Sequence, residues 1–140
     1  MLEFTAELKL YVPEIDEQHK KLIDMINDFE ALGDKLHDKA VTEKALDFLG
    51  KYVAAHFSTE ERYMRETGYP DYDWHHNWHD GFIKKYASLQ EEYAKNGPSE
   101  HFTQMLNKFV INWIFKHIQN VDTNLGKHIV AYYKANPRRK

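Results

Sequence analysis

The chain contains no cysteine and, in 140 residues, only four prolines and six glycines. Without thiols it forms no disulfide, iron-sulfur cluster or thiolate zinc site, so imidazole and carboxylate are the side chains left to hold a metal. The scarce breakers fall at Pro13, Gly33, Gly50, Gly68 with Pro70, Gly81, Gly97 with Pro98, Gly126 and Pro137. Between them lie long stretches with neither strand-like alternation nor low complexity. No apolar run approaches the length of a membrane span, and MLEFTAELKL lacks a basic region leading into an apolar core. An excess of one charge is also missing: 22 acidic residues face 19 basic ones for a net of −3, and PRRK at the end is the one basic cluster. That balance gives no reason to expect nucleic acid or membrane insertion. The expectation is a soluble, cytoplasmic protein with a single domain over residues 1–140, a length that suffices for one core.

What the sequence does have is helical periodicity and nine histidines. The pattern predicts a first helix from after Pro13 to residue 36, further helices over 42–66, 72–95 and 100–119, with Thr42 as an N-cap, and a short C-terminal helix over 123–134. The first helix carries Ile15, His19, Leu22, Ile26 and Phe29 at steps of four and three, the spacing of a stripe that faces a partner helix. The second repeats it with Leu46, Leu49, Val53, His56, Glu60, Tyr63 and Thr67, and the third with His75, His79, Phe82, Tyr86, Leu89 and Tyr93. The fourth offers Leu106, Val110, Trp113 and His117. Short connections make successive helices antiparallel, so the fold class is all-α: an up-down-up-down four-helix bundle with a short C-terminal helix. Alternating direction then brings His19, His56, Glu60, His75, His79 and His117 toward one end of the bundle.

A buried polar group without a partner costs roughly 1–3 kcal/mol, so that many in one core need something to bind. A lone seam histidine such as His19 or His117 is ordinarily a core residue hydrogen-bonded to a neighbour. His56 with Glu60, and His75 with His79, are i,i+4 pairs that present two ligands from one helix face. In WHHNWHDGF, residues 74–82, His75 and His79 therefore act together and His76 points elsewhere. Asp122 lies five residues after His117, about 140° round an α-helix, so both reach one site only if the helix ends or kinks between them. IQNVDTNLG suits such a break, and Asp122 reads either as the N-cap of the last helix or as a bridging carboxylate; we take it as a ligand. His37, His76, His101 and His128 read as solvated or supporting residues, and Trp74 and Trp78 as packing between helices.

These residues make the chain resemble the hemerythrins, specifically the bacterial single-domain ones, over nearly its whole length. The motifs are IDEQHKKL at 15–22, HFSTEERYM at 56–64, YPDYDWHHNWHDGF at 69–82 and WIFKHIQNVD at 113–122. The resemblance implies two non-haem irons with an oxo or hydroxo bridge and the ligands His19, His56, Glu60, His75, His79, His117 and Asp122. It gives one iron His75, His79 and His117, the other His19 and His56 with a position left open, and makes Glu60 and Asp122 bridges. It also implies an oxygen pocket walled by Leu22, Phe57, Trp113, Ile114 and Ile118. Two departures stand out. The stretch between His79 and His117 is longer than in the animal oxygen carriers, and Phe4 stands where many relatives carry tryptophan.

The function implied is reversible O2 binding for storage, transport or delivery to an oxygen-consuming enzyme, without enzymatic activity of its own. The rivals are a diiron oxidase or peroxidase and an oxygen sensor or scavenger. Ferritin-like oxidases build their site from glutamates and E-x-x-H pairs. No E-x-x-H occurs in this sequence.

Overall fold

Helix α1 spans Pro13–Leu32, α2 Lys39–Thr67, α3 Tyr72–Asn96, α4 Glu100–Phe109 and α5 Thr123–Ala135, after a single 3-10 turn at Ala6–Leu8. The structure is a computed structural model that describes residues 3–32, 38–97 and 99–137, without the side chains of Phe29, Leu32, Thr103, Val110 and Ile111. The predicted seam positions Phe29 and Val110, His37, and the end of the first predicted helix at residue 36 thus lie outside what is described. Among the described residues there is no strand, and no helix is long and apolar enough to cross a membrane.

Helix α2 begins one turn before the point the sequence suggested. Asp38 Oδ1 accepts the Val41 N–H at 3.1 Å, and Thr42, expected as the cap, is fully buried within the helix. Both residue types cap well, and the exposed Lys39 and Ala40 carry no apolar signal that would have extended the pattern. At the other end Gly68 takes φ 60°, which lets its own N–H and that of Tyr69 satisfy the carbonyls of Arg65 and Met64 at 3.4 and 2.9 Å.

The antiparallel bundle pairs α1 with α2, α2 with α3 and α3 with α4, while α5 returns against α2. The predicted seams are buried: Ile15, His19, Leu22 and Ile26 on α1, all seven α2 positions, and His75, His79, Phe82 and Leu89 on α3. Tyr86, Tyr93 and Trp113 are half-buried. Two apolar clusters result, a larger one containing Leu22, Val53, Phe57, Phe82 and Ile118, and a smaller one containing Ile15, Tyr63, Met64, Tyr69 and Leu125. The polar residues lie where the two clusters meet. On α1, His19 falls between Ile15 and Leu22; on α2, His56 and Glu60 fall between Val53 and Tyr63.

The N-terminal arm seals the smaller cluster. Buried Asp16 accepts the N–H groups of Leu10 and Tyr11 at 2.8 and 3.0 Å, and Leu10 sits so close to Gly126 that a Cβ there would come within 2.8 Å of the Leu10 Cβ. A glycine is thus required at 126 by close approach.

Candidate metal centre

The sequence predicted a break between His117 and Asp122, and there is none. From Glu100 to Ala135 the chain remains helical, passing through π-helical stretches at Val110–Ile114 and His117–Asp122. In a π turn each hydrogen bond reaches five residues back, so side chains five apart come to the same face without any interruption. Asp122 does not cap α5, since its backbone is helical and its side chain accepts no capping bond. It is fully buried and directed at the histidines.

All seven predicted site residues meet here: His19, His56, Glu60, His75, His79, His117 and Asp122 are each at most 1% exposed. Their ligand-type atoms form two groups, Glu60 with His75, His79 and His117 and Asp122, and His19 with His56, Glu60 and Asp122, each within 4.8 Å. The carboxylates belong to both. Asp122 divides its oxygens: Oδ2 lies 2.8 Å from His19 Nε2 and 3.5 Å from His56 Nε2, while Oδ1 lies 2.8 Å from His117 Nε2 and 3.1 Å from His75 Nε2. Glu60 Oε1 stands 3.0 Å from His79 Nε2 and between 3.4 and 3.5 Å from the Nε2 atoms of His56, His75 and His117.

Several of these close approaches are not hydrogen bonds. His75 Nε2, His117 Nε2, Asp122 Oδ1 and Glu60 Oε2 are buried without a hydrogen-bond partner. Atoms that touch yet fail to bond have their lone pairs turned on shared space, the arrangement a cation would satisfy. Electrostatics agrees. Burial opposes ionisation of Glu60 and of Asp122, but the imidazoles around them hold both carboxyls well below the usual carboxylate range. Burial likewise opposes protonation of His75 and His117, and Asp122 with Glu60 outweighs it, raising the two to about 10 and about 9. Two carboxylates thus demand two positive charges, supplied by protons or by metal. The residues present fit metal ions well.

Two supports went unseen in the sequence. His56 Nδ1–H donates to Gln18 Oε1 at 2.8 Å, and His79 Nδ1–H donates to Glu61 Oε2 at 2.8 Å, fixing each ring with Nε2 toward the site. Glu61 also meets Nδ1 of half-buried His76 at 3.2 Å, which gives that residue its supporting place. Burial opposes Glu61 ionisation, yet the hydrogen bond from His79 and the closeness of His76 lower its pKa. His128 donates Nε2–H to the Thr67 carbonyl at 3.0 Å, and His101 is exposed.

Of the residues expected to wall an oxygen pocket, Leu22, Phe57, Ile114 and Ile118 are buried in the larger cluster, and half-buried Trp113 packs on it. Phe57 stacks on His79, with centroids 3.8 Å apart and planes 9° apart, and Trp113 stacks on His117 at 4.6 Å and 13°. Trp78 packs toward both Trp113 and His117, as expected of a residue between helices. Trp74 does not. It is 47% exposed and reaches Trp78 alone among the rings described, because one helical residue before His75 its face turns outward. Phe4 is half-buried against the core, with Lys20 Nζ over its ring.

Comparison with known proteins follows the same lines. The model of the Hemerythrin HHE cation binding domain matches residues 11–129. A bacteriohemerythrin of Methylococcus capsulatus is 36% identical over 132 residues, covering 90% of this chain and 94% of the relative. One of Clostridium acetobutylicum is 33% identical over 127 residues, covering 87% and 96%. Among solved structures, a wild-type hemerythrin crystal structure superposes with TM-score 0.75 at 32% identity, covering 92% of this chain and 97% of the other.

Proposed function

The chain belongs to the hemerythrin family, and from that premise we propose that it binds O2 reversibly at a non-haem diiron centre. The observation that carries the reading is the division of Asp122, one oxygen toward His19 and the other toward His75 and His117. One carboxylate facing two imidazole groups suits two metal positions better than one. Its all-histidine and carboxylate chemistry suits iron, and the shared carboxylates suit a bridged pair.

In this reading His75, His79 and His117 would hold one iron and His19 and His56 the other, with Glu60 and Asp122 shared between the two sets. Bound as ferrous ions, the pair would supply the electrons that O2 binding draws on. The chain's own residues do the rest. Gln18 and Glu61 hold ligand rings in the required tautomer. Leu22, Phe57, Trp113, Ile114 and Ile118 keep water from the centre, and a dry wall disfavours escape of charged oxygen species. None of these five side chains carries a group suited to proton transfer at neutral pH, which supports an oxygen binder over a catalyst. Storage, transport or delivery to an oxygen-consuming enzyme would be the use of such a site.

The test is an anaerobic iron titration followed by admission and removal of O2 under an absorption spectrometer. About two irons per chain, set by the two donor groups, and an absorption that appears with O2 and disappears on its removal are expected. One metal per chain at full occupancy, or an oxygenated form that never returns its O2, would overturn the reading.

A further inference from the structure

Between α3 and α4 lies a groove of about 470 Å³ whose lining includes the half-buried Trp78, Phe109 and Trp113 and the exposed Lys85, Lys108 and Lys116. No carboxylate lines it. The local charge runs against that of the molecule: the chain carries a net −3, yet no acidic residue occurs between Glu100 and Asp122. Lysines on a helix are commonly just solvated. Here they surround indoles, and one indole is in contact with the metal centre: Trp113 lies flat on His117 at 4.6 Å, while Trp78 is 6.1 Å from the same imidazole.

We propose that this groove binds a reduced flavin mononucleotide and passes its electrons through the Trp113–His117 contact to the metal centre. The inference rests on the diiron reading for the electron step, and on the groove alone for the binding. A flavin has a planar aromatic ring to lie against Trp78 and Trp113 and a phosphate for the lysines, and the volume is that of a small-ligand pocket. The positive rim also steers an anionic donor toward a face where ring contacts lead inward. An oxygen binder whose irons have both become ferric is inactive until electrons return. One reduced flavin releases two electrons and two protons; each ferric ion accepts one electron and becomes ferrous, the protons pass to solvent, and no bond to the protein is made or broken.

Two readouts test this on the full-length, iron-loaded protein. In the first, oxidised flavin mononucleotide and riboflavin are titrated while flavin and tryptophan fluorescence are followed. Saturable binding is expected, with riboflavin about tenfold weaker for want of its phosphate, and about the same loss for flavin mononucleotide in Lys108→Glu/Lys116→Glu. Iron content and helicity of that variant should be unchanged, since both lysines are exposed. In the second, ferric protein is mixed with photoreduced flavin mononucleotide. A rate that saturates with flavin, and falls in the variant in proportion to binding, supports the port. Equal binding of riboflavin, an unaffected variant, or a rate that rises without saturation overturns it. If flavin fails to bind while the variant loses reduction by an acidic iron-sulfur protein, the groove is a protein-docking surface and the flavin proposal is wrong. Metal analysis without two irons would sink the diiron reading separately, because the fluorescence titration does not depend on it.

Discussion

The two sides of the metal centre share their carboxylates and differ in almost everything else. On the side of His75, His79 and His117, rings cover ligands: Phe57 stacks on His79 and Trp113 on His117, with Trp78 behind. On the side of His19 and His56, the ring contacts are with each other, at 4.7 Å, and with Phe57, tilted at 6.1 Å. The supports differ as well, a carboxylate of Glu61 behind His79 against a neutral amide of Gln18 behind His56. Of the three imidazoles on that side two lie under stacked aromatic faces, which makes it the more closed. Under the proposed function the set with two imidazoles is the side left for a small molecule, and the aliphatic Leu22 lies one turn along α1 from His19.

The largest effect should come from removing what the two sides share. Asp122→Ala deletes the residue that touches both imidazole groups and leaves protonated histidines facing one carboxylate, so both metals should be lost together. Metal analysis after gel filtration checks it. Retention of one metal at full occupancy would mean that the two sides are independent sites.

Next comes the wall. Leu22→Asn or Ile118→Ser should leave two metals bound while shortening the life of the oxygenated form, followed by decay of its absorption. Ile118→Leu, similar in volume and apolar, should do much less. If polar and apolar replacements behave alike, Leu22 and Ile118 are ordinary core and the open side lies elsewhere.

The protons give a gentler contrast. In metal-free protein His75 and His117 are raised to about 10 and about 9, above the unfolded imidazole value of about 6.5. Their contribution to stability is therefore complete below about pH 6.5 and is lost as pH rises through about 9 and then about 10. Metal binding needs both rings neutral, so its apparent affinity should rise over the same interval. Metal-free protein should melt lower as pH climbs from 7 to 10 while loaded protein changes little. Calorimetry of metal loading at pH 7 in buffers of different ionisation enthalpy should show about two protons released, those of His75 and His117. A release near zero would mean that the carboxylates are neutralised some other way.

These contrasts were unequally legible in the sequence. The seams were plain because a core-facing stripe repeats at the helical period, and a histidine within it stands out, so the i,i+4 pairs on α2 and α3 announced themselves. Asp122 does face the histidines, but not for the local reason the sequence suggested. Reading the segment at the α-helical pitch forced a break, whereas WIFKHIQNVD holds neither glycine nor proline, which is the signal that the helix could widen and continue. Gln18 and Glu61 were missed because each is one residue from a ligand, off the stripe, where a glutamine or glutamate looks the same as any solvated one. Trp74 was assigned inward on residue type alone, although its place before His75 turns it to solvent.

The smallest expected effect separates the two sides most cleanly. Gln18 accepts from His56 and donates to Thr59 Oγ1 at 3.0 Å, so it is held from both ends; Glu61 holds His79 and is itself held by His76. Losing such an outer partner typically lowers metal affinity by about 10–100-fold, because the imidazole loses both its fixed tautomer and part of its basicity. Gln18→Leu should therefore make the metal at His19 and His56 leave first under a chelator, and Glu61→Leu the metal at His75, His79 and His117. His79 has two neighbouring imidazoles on its metal and a stacked Phe57 to keep its ring in place, so Glu61→Leu should be the milder of the pair. Chelator release followed by absorption should then become biphasic in Gln18→Leu, with about half of the metal leaving early, and stay closer to a single phase in Glu61→Leu. Equal, uniform acceleration in both variants would show that the shared carboxylates couple the two positions so tightly that neither metal leaves alone, and the contrast between a closed and an open side would then be one of packing without a counterpart in affinity.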